Sequence, residues 1–169
     1  MKKLIAVFAI VLLTSCLGYG QLLPKMDVFG GYSYTRVNPT SGPALDTSGW
    51  EASLDYRLNH HVAVVADFGG MYCCGMQSIH TFMGGAQLSQ HVFLGTVSVH
   101  ALAGGARGAD ATRTDTAAAW AAGAAWDRHI APKLYWRVVQ ADYLGTNFLG
   151  GTQHNYRLTT GLLLRLGKK

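Results

Sequence analysis

Charge is scarce in this chain of 169 residues: only 14% are Asp, Glu, Lys or Arg, and none of the four occurs between Asp67 and Arg107. A disordered chain shows the opposite balance, few apolar residues and high net charge. With 49% hydrophobic residues, this one folds. Proline is rare at four residues, and glycine, although present 21 times, has no regular period, which excludes collagen and proline-rich linkers. At roughly 100 to 200 residues per domain, the length corresponds to one domain. Long apolar runs are also missing. The uninterrupted one, Leu4 to Leu13, falls well short of the roughly 20 residues that a membrane-spanning helix needs.

That run follows Lys2 and Lys3, giving the basic start and short apolar core of a secretory signal. Two cleavage readings compete. Leu13-Thr14-Ser15-Cys16 has the form of a lipidation site, which would anchor Cys16, whereas Gly18-Tyr19-Gly20 offers small residues before Gln21. The second reading divides the chain into a signal at 1–20 and a mature domain at 21–169. Loss of the two lysines lowers the formal charge from +5 to +3, too small an excess to indicate nucleic-acid binding.

The charge-free stretch invites a helical reading, but it contains Gly69, Gly70, Gly75, Gly84, Gly85, Gly95, Gly104 and Gly105, a density that helix interiors resist. Its pattern has a period of two, the signature of strands. The same period runs through most of the mature chain. Between Gly49 and Leu58 one face reads Trp50, Ala52, Leu54, Tyr56 and Leu58, and the other reads Glu51, Ser53, Asp55 and Arg57. Val62, Val64, Ala66 and Phe68 continue the apolar face, and Leu158, Leu162, Leu164 and Leu166 oppose Arg157, Thr159 and Arg165. Ala117 to Ala125 has helical propensity, but its context makes it a strand.

Eight strands are predicted, at about 25–36, 49–58, 61–72, 78–88, 92–106, 116–127, 133–144 and 155–166. Asn59-His60, Ser89 to His91 and Arg128 to Pro132 form tight turns. Val37 to Ser48, Arg107 to Asp115 and Gly145 to His154 form longer polar loops, while Cys73 to Gln77 is a shorter link. In an up-and-down meander, connections of one parity share one end, so short turns gather at one end and long loops at the other. Outer-membrane barrels show this arrangement. Trp50 and Tyr56, like Trp120 and Trp126, lie six residues apart on one face. That is roughly 15 Å along the membrane normal at a 45° tilt, less than the roughly 25 Å apolar band, so one member of each pair at most sits squarely in an aromatic girdle.

Lys25 to Arg36, Trp50 to Leu58, the strand end Ala101 to Gly108 and the segment Gln140 to Leu144 together resemble the small bacterial outer-membrane β-barrel proteins of the outer-membrane protein A and X type. The resemblance spans nearly all of the mature chain through diffuse patterns. It implies an all-β, eight-stranded antiparallel transmembrane barrel, exported by the Sec route and inserted from the periplasm with barrel-assembly factors. Such proteins usually end in an aromatic residue, whereas this chain ends Leu164-Arg165-Leu166-Gly167-Lys168-Lys169. The barrel consumes the chain, so a cell-wall tether is not carried over.

A barrel of eight strands is filled by its own side chains. Parity sends Glu51, Asp55, Arg57, Asp67, Asp127, Arg157 and Arg165 inward, where they form either a structural ion-pair network or a gated pore. Arg137 and Asp142 cannot both point inward without a bulge, which leaves the register of the seventh strand open.

Ser98 and His100 share a strand face, the minimum geometry for a nucleophile and its base. Sequence assigns them no acidic partner, and the expected catalytic set is none. His60, His61, His80, His91, His129 and His154 show no ligand spacing, so neither metal nor cofactor is expected. Cys73-Cys74 reads as small apolar residues, since neighbouring cysteines seldom bridge without strain. Gly104 to Gly108 lacks the Lys-Ser/Thr of a phosphate loop. The expected function is structural or surface-interacting and non-enzymatic. Its partners are membrane lipid and an extracellular ligand at the long loops. Two alternatives remain: a soluble lipocalin-like barrel with the apolar face inward, and a lipid hydrolase using Ser98 and His100.

Overall fold

The computed structural model describes residues 25–38, 44–73, 77–109, 114–148 and 151–167. The signal segment, Cys16 and Cys74 fall outside these residues, as does the side chain of Cys73. Eight strands follow in order: β1 (Met26–Val37), β2 (Leu45–Arg57), β3 (Val62–Cys73), β4 (Gln77–Val92), β5 (Gly95–Ala109), β6 (Thr114–Ala131), β7 (Leu134–Phe148) and β8 (Gly151–Leu166). Each pairs antiparallel with the next, and β8 returns to β1, closing the barrel. Closure removes the open edges that an exposed sheet would leave.

The register fixes the slope of the strands. A walk across ladder partners from Met26 passes Tyr56, Val64, Ala86, Ala101, Ala122, Tyr143 and Tyr156 and returns to β1 at Arg36, ten residues along the strand. A stagger of this size tilts the strands by roughly 40° and leaves an interior just wide enough for side chains.

The apolar face lies outside and the charged face inside. Trp50, Leu54, Tyr56, Val64, Phe68, Leu158, Leu162 and Leu164 are exposed, while Glu51, Asp55, Asp67, Asp127 and Arg157 are each at most 3% exposed. The soluble alternative required the reverse, with apolar residues around a ligand cavity. On the outer wall, Tyr34, Trp50, Phe68, Phe82, Trp120 and Tyr156 stand toward the loop end, and Tyr56, Trp126 and Trp136 toward the turn end. Small residues lie between these levels, including the laddered pairs Gly30–Ala52 and Ala86–Ala101.

Strand ends depart from expectation at both ends of the barrel. β1 runs to Val37, β2 starts at Leu45, β5 runs to Ala109, β6 starts at Thr114, β7 runs to Phe148 and β8 starts at Gly151. Much of what read as long polar loop is therefore paired strand. Thr47, placed by sequence in the first loop, points inward and donates its hydroxyl to the Thr35 carbonyl at 2.9 Å. Polar, glycine-rich composition resembles a turn, but a neighbouring strand that satisfies the backbone groups keeps the ladder going. At the other end, Ser89 to His91 belong to β4, and Phe93-Leu94 make the turn. The β2–β3 turn matches its sequence: the Asn59 carboxamide oxygen accepts from the amides of His61 and Val62, both at 2.8 Å, the usual use of Asn in a turn.

The register of β7 is resolved by a bulge. Arg137 pairs with Gly161 and Gln140 with Thr159, so β7 spends three steps where β8 spends two. The extra residue lets Arg137 and Asp142 both face inward, at 2% and 3% exposure.

Candidate functional site

The barrel interior arranges its charged side chains in two layers joined through Gln140. Arg157, reaching in from β8, is the centre of the upper layer. Its Nη2 lies 2.7 Å from Asp142 Oδ2, its Nε 3.3 Å from Glu51 Oε2 and its Nη1 3.3 Å from Asp67 Oδ1. Gln140 donates to Glu51 at 2.6 Å and to Asp142 at 2.9 Å, and Thr159 donates to Glu51 at 2.5 Å. One guanidinium thus serves three carboxylates, and neutral donors add hydrogen bonds to Glu51 and Asp142, as buried charge requires.

The lower layer lies toward the turn end. Arg137 holds Asp127 through two bonds, 2.8 Å from Nε and 3.2 Å from Nη2, the fork geometry in which Arg binds carboxylate most specifically. Its Nη1 donates to Gln140 at 2.7 Å, joining the two layers, and its guanidinium lies 4.4 Å from the Phe29 ring centre. Asp27 accepts from Arg57 at 2.7 Å and from Arg165 at 3.3 Å. Each inward charge expected from sequence is inside. Asp27 and Asp142 were missed or left open, although the alternation Asp27, Phe29, Ser33, Thr35 could have placed the first.

Glycines make room for this packing. A Cβ on Gly123 would lie 2.0 Å from Asp142 Oδ1 and 2.6 Å from the Ala141 carbonyl oxygen. Only a residue without that atom lets the Asp142 carboxylate pass β6 toward His100 on β5, while Arg157 meets it from β8 on the other side. Val65, Met71, Met83, Leu102, Ala106, Ala119, Ala121 and Leu144 form an apolar cluster within the lumen, most of it on the loop side of the ion pairs. Parity in the sequence named only charged residues as inward, and these apolar positions were missed.

Ser98 and His100 also face inward, at 2% and 8% exposure. His100 does have an acidic partner, with Nε2 2.9 Å from Asp142 Oδ1. That carboxylate is shared with Arg157, and Ser98 Oγ has no hydrogen-bond partner. The pair therefore lies on the filled side of the wall, away from the apolar exterior where a lipid chain would run. Among the described residues, no group of three or more His, Cys, Asp or Glu side chains is arranged to hold a metal ion.

The loop end carries a second set of polar groups. His80 and Arg107 are ladder partners on the outer wall, Arg36 stands 3.9 Å from Asp46, and His154 bonds Tyr143 beside Tyr156. These lie just beyond the outer aromatic residues.

No protein-family model matches the sequence, and no curated protein matches it. The fold, in contrast, matches solved structures. Neisserial surface protein A superposes with a TM-score of 0.63 at 12% identity, covering 83% of this chain and 97% of that one. The attachment invasion locus protein Ail of Yersinia pestis, solved in complex with the heparin analogue sucrose octasulfate, gives 0.58 at 16% identity, over 84% and 100%. The N-terminal β-barrel domain of Pseudomonas aeruginosa OprF gives 0.52 at 14% identity, over 83% and 98%. The chain has the fold of these small eight-stranded outer-membrane barrels.

Proposed function

We propose that the chain is an integral protein of the bacterial outer membrane with a structural or surface-recognition role and no catalytic activity. The observation that carries this reading is the inverted distribution of polarity: an apolar wall with aromatic residues at two levels surrounds an interior of buried, paired charge. Water on the outside would leave a wide apolar surface exposed, whereas lipid matches it. The turn end faces the periplasm and the loop end faces outward.

Filled ion-pair layers beneath an apolar cluster favour a closed scaffold over a pore. A lipid hydrolase would need its nucleophile on the lipid side, and Ser98 and His100 are on the other. Recognition is then left to the loop end, where Arg36, His80, Arg107 and His154 project from a rigid base. One structural neighbour was solved with a heparin analogue, which makes a polyanion the first ligand to try there. The membrane reading is tested by extraction and gel migration. The folded protein should require detergent for release and should migrate differently before and after boiling. Release by carbonate or salt alone would refute it.

A further inference from the structure

The turn end has a feature that the fold does not require. The two-residue β4–β5 turn consists of Phe93 and Leu94, which are 102% and 64% exposed and follow the exposed Val92. Tight hairpins favour residues such as Asn and Gly that turn the chain at low cost, and Phe-Leu offers no such advantage. An open groove of about 380 Å³ lies beside this tip, lined by Phe93, Leu94, Arg128, His129 and Tyr135.

The charges around the groove differ from those inside the barrel. The carboxylates at this end turn inward: Asp27 and Asp127 are held by Arg57, Arg165 and Arg137, and Asp55 accepts from Ser53. Arg128 lines the groove and Lys133 lies in the neighbouring β6–β7 turn; both are exposed, and neither has an acidic partner among the described residues. Arg128 is the ladder partner of Trp136 on the lipid-facing wall. The rim is therefore continuous with the apolar band, ends in an apolar tip and carries unpaired positive charge.

We infer that this rim is a docking surface for anionic phospholipid, with phosphate at Arg128 and Lys133 and the acyl-glycerol portion against Phe93 and Leu94. Exposed aromatic and cationic side chains at the edge of an apolar wall occupy the headgroup level. Each Lys or Arg there enriches a neighbouring anionic headgroup about fivefold. The inference rests on the membrane reading above.

The test uses Trp126 and Trp136 as reporters at this end, in a Trp50→Phe/Trp120→Phe background folded into phosphatidylcholine vesicles and checked by heat-modifiable migration. Brominated phosphatidylglycerol and brominated phosphatidylcholine are compared as fluorescence quenchers. The expected result is a severalfold preference for the anionic lipid, falling toward parity in Arg128→Gln/Lys133→Gln. Equal quenching by both lipids, or a preference unchanged in that variant, overturns the inference and leaves the membrane reading standing. Loss of the preference to millimolar inorganic phosphate at constant ionic strength overturns it in favour of a free-anion site. Absence of quenching by either lipid overturns both readings.

Discussion

Leu54→Arg separates a lipid-facing wall from a water-facing one. Leu54 shares the outer face of β2 with Trp50 and Tyr56 and is 41% exposed, paired across the ladder with Val28 and Ala66. At about 3.4 Å per residue and a tilt near 45°, it lies about 5 Å along the membrane normal from Tyr56 and about 10 Å from Trp50. Both distances place it within the apolar band. Arginine there should cost about 2 to 4 kcal/mol, a shift of roughly 30- to 700-fold in the folding equilibrium. Ser48, six residues away on the same face and beyond Trp50, is the control, because arginine near the interface costs only about 0 to 1 kcal/mol. The measurement is reversible denaturant unfolding in lipid vesicles, followed by tryptophan emission. In water, arginine at exposed Leu54 would change stability little. Equal costs for Leu54→Arg and Ser48→Arg would therefore refute the assignment of faces.

Arg157→Met should destabilise the barrel by about 3 to 5 kcal/mol, since it leaves Glu51, Asp67 and Asp142 buried without their cation; a double-mutant cycle with Asp142→Asn should show a coupling of at least about 0.5 kcal/mol, and additive effects would contradict the geometry. Gly123→Ala should lower stability far more than Gly30→Ala, because a Cβ at Gly123 meets Asp142 while one at Gly30 meets nothing within 4 Å; denaturant midpoints of the two variants decide this. His100→Ala should cost about 1.5 to 3 kcal/mol through its bond to the Asp142 carboxylate, and Ser98→Ala should cost less because its hydroxyl has no partner. Fatty-acid release from a lipid substrate by the purified protein, abolished by Ser98→Ala, would overturn the non-enzymatic reading.

Much of this protein was legible in the order of its residues, because strand geometry places successive side chains on opposite faces. Glu51, Asp55 and Arg57 alternate with Ala52, Leu54 and Tyr56, so their opposition was fixed before any strand paired. The number of strands and the identity of most inward charges followed from the same local rule. The strand ends did not. Composition suggested loops where Thr47, Gly145 and His154 are paired, and suggested a turn at Ser89 to His91 where the chain instead turns at Phe93 and Leu94. Pairing of a polar residue depends on whether a neighbouring strand presents its backbone, which the residue's own identity does not specify.

The charge network belongs to the closed barrel. His100 meets Asp142 across 42 positions, Gln140 meets Glu51 across 89 and Arg157 meets Asp67 across 90. Alternation determined which side chains share a face of one strand; stagger and closure determined that those faces meet and which groups touch. The bulge between Arg137 and Gln140 interrupts alternation on β7 and turns both Arg137 and Asp142 inward. That choice is made by the buried charges as a set: without the extra residue, one of the two would face the apolar exterior and leave its partners unpaired. The sequence by itself thus determined an apolar face and a charged one on each strand. Only the tertiary structure decided that the charged faces enclose a common interior, because an energetic balance among residues far apart in the chain is absent from any local pattern.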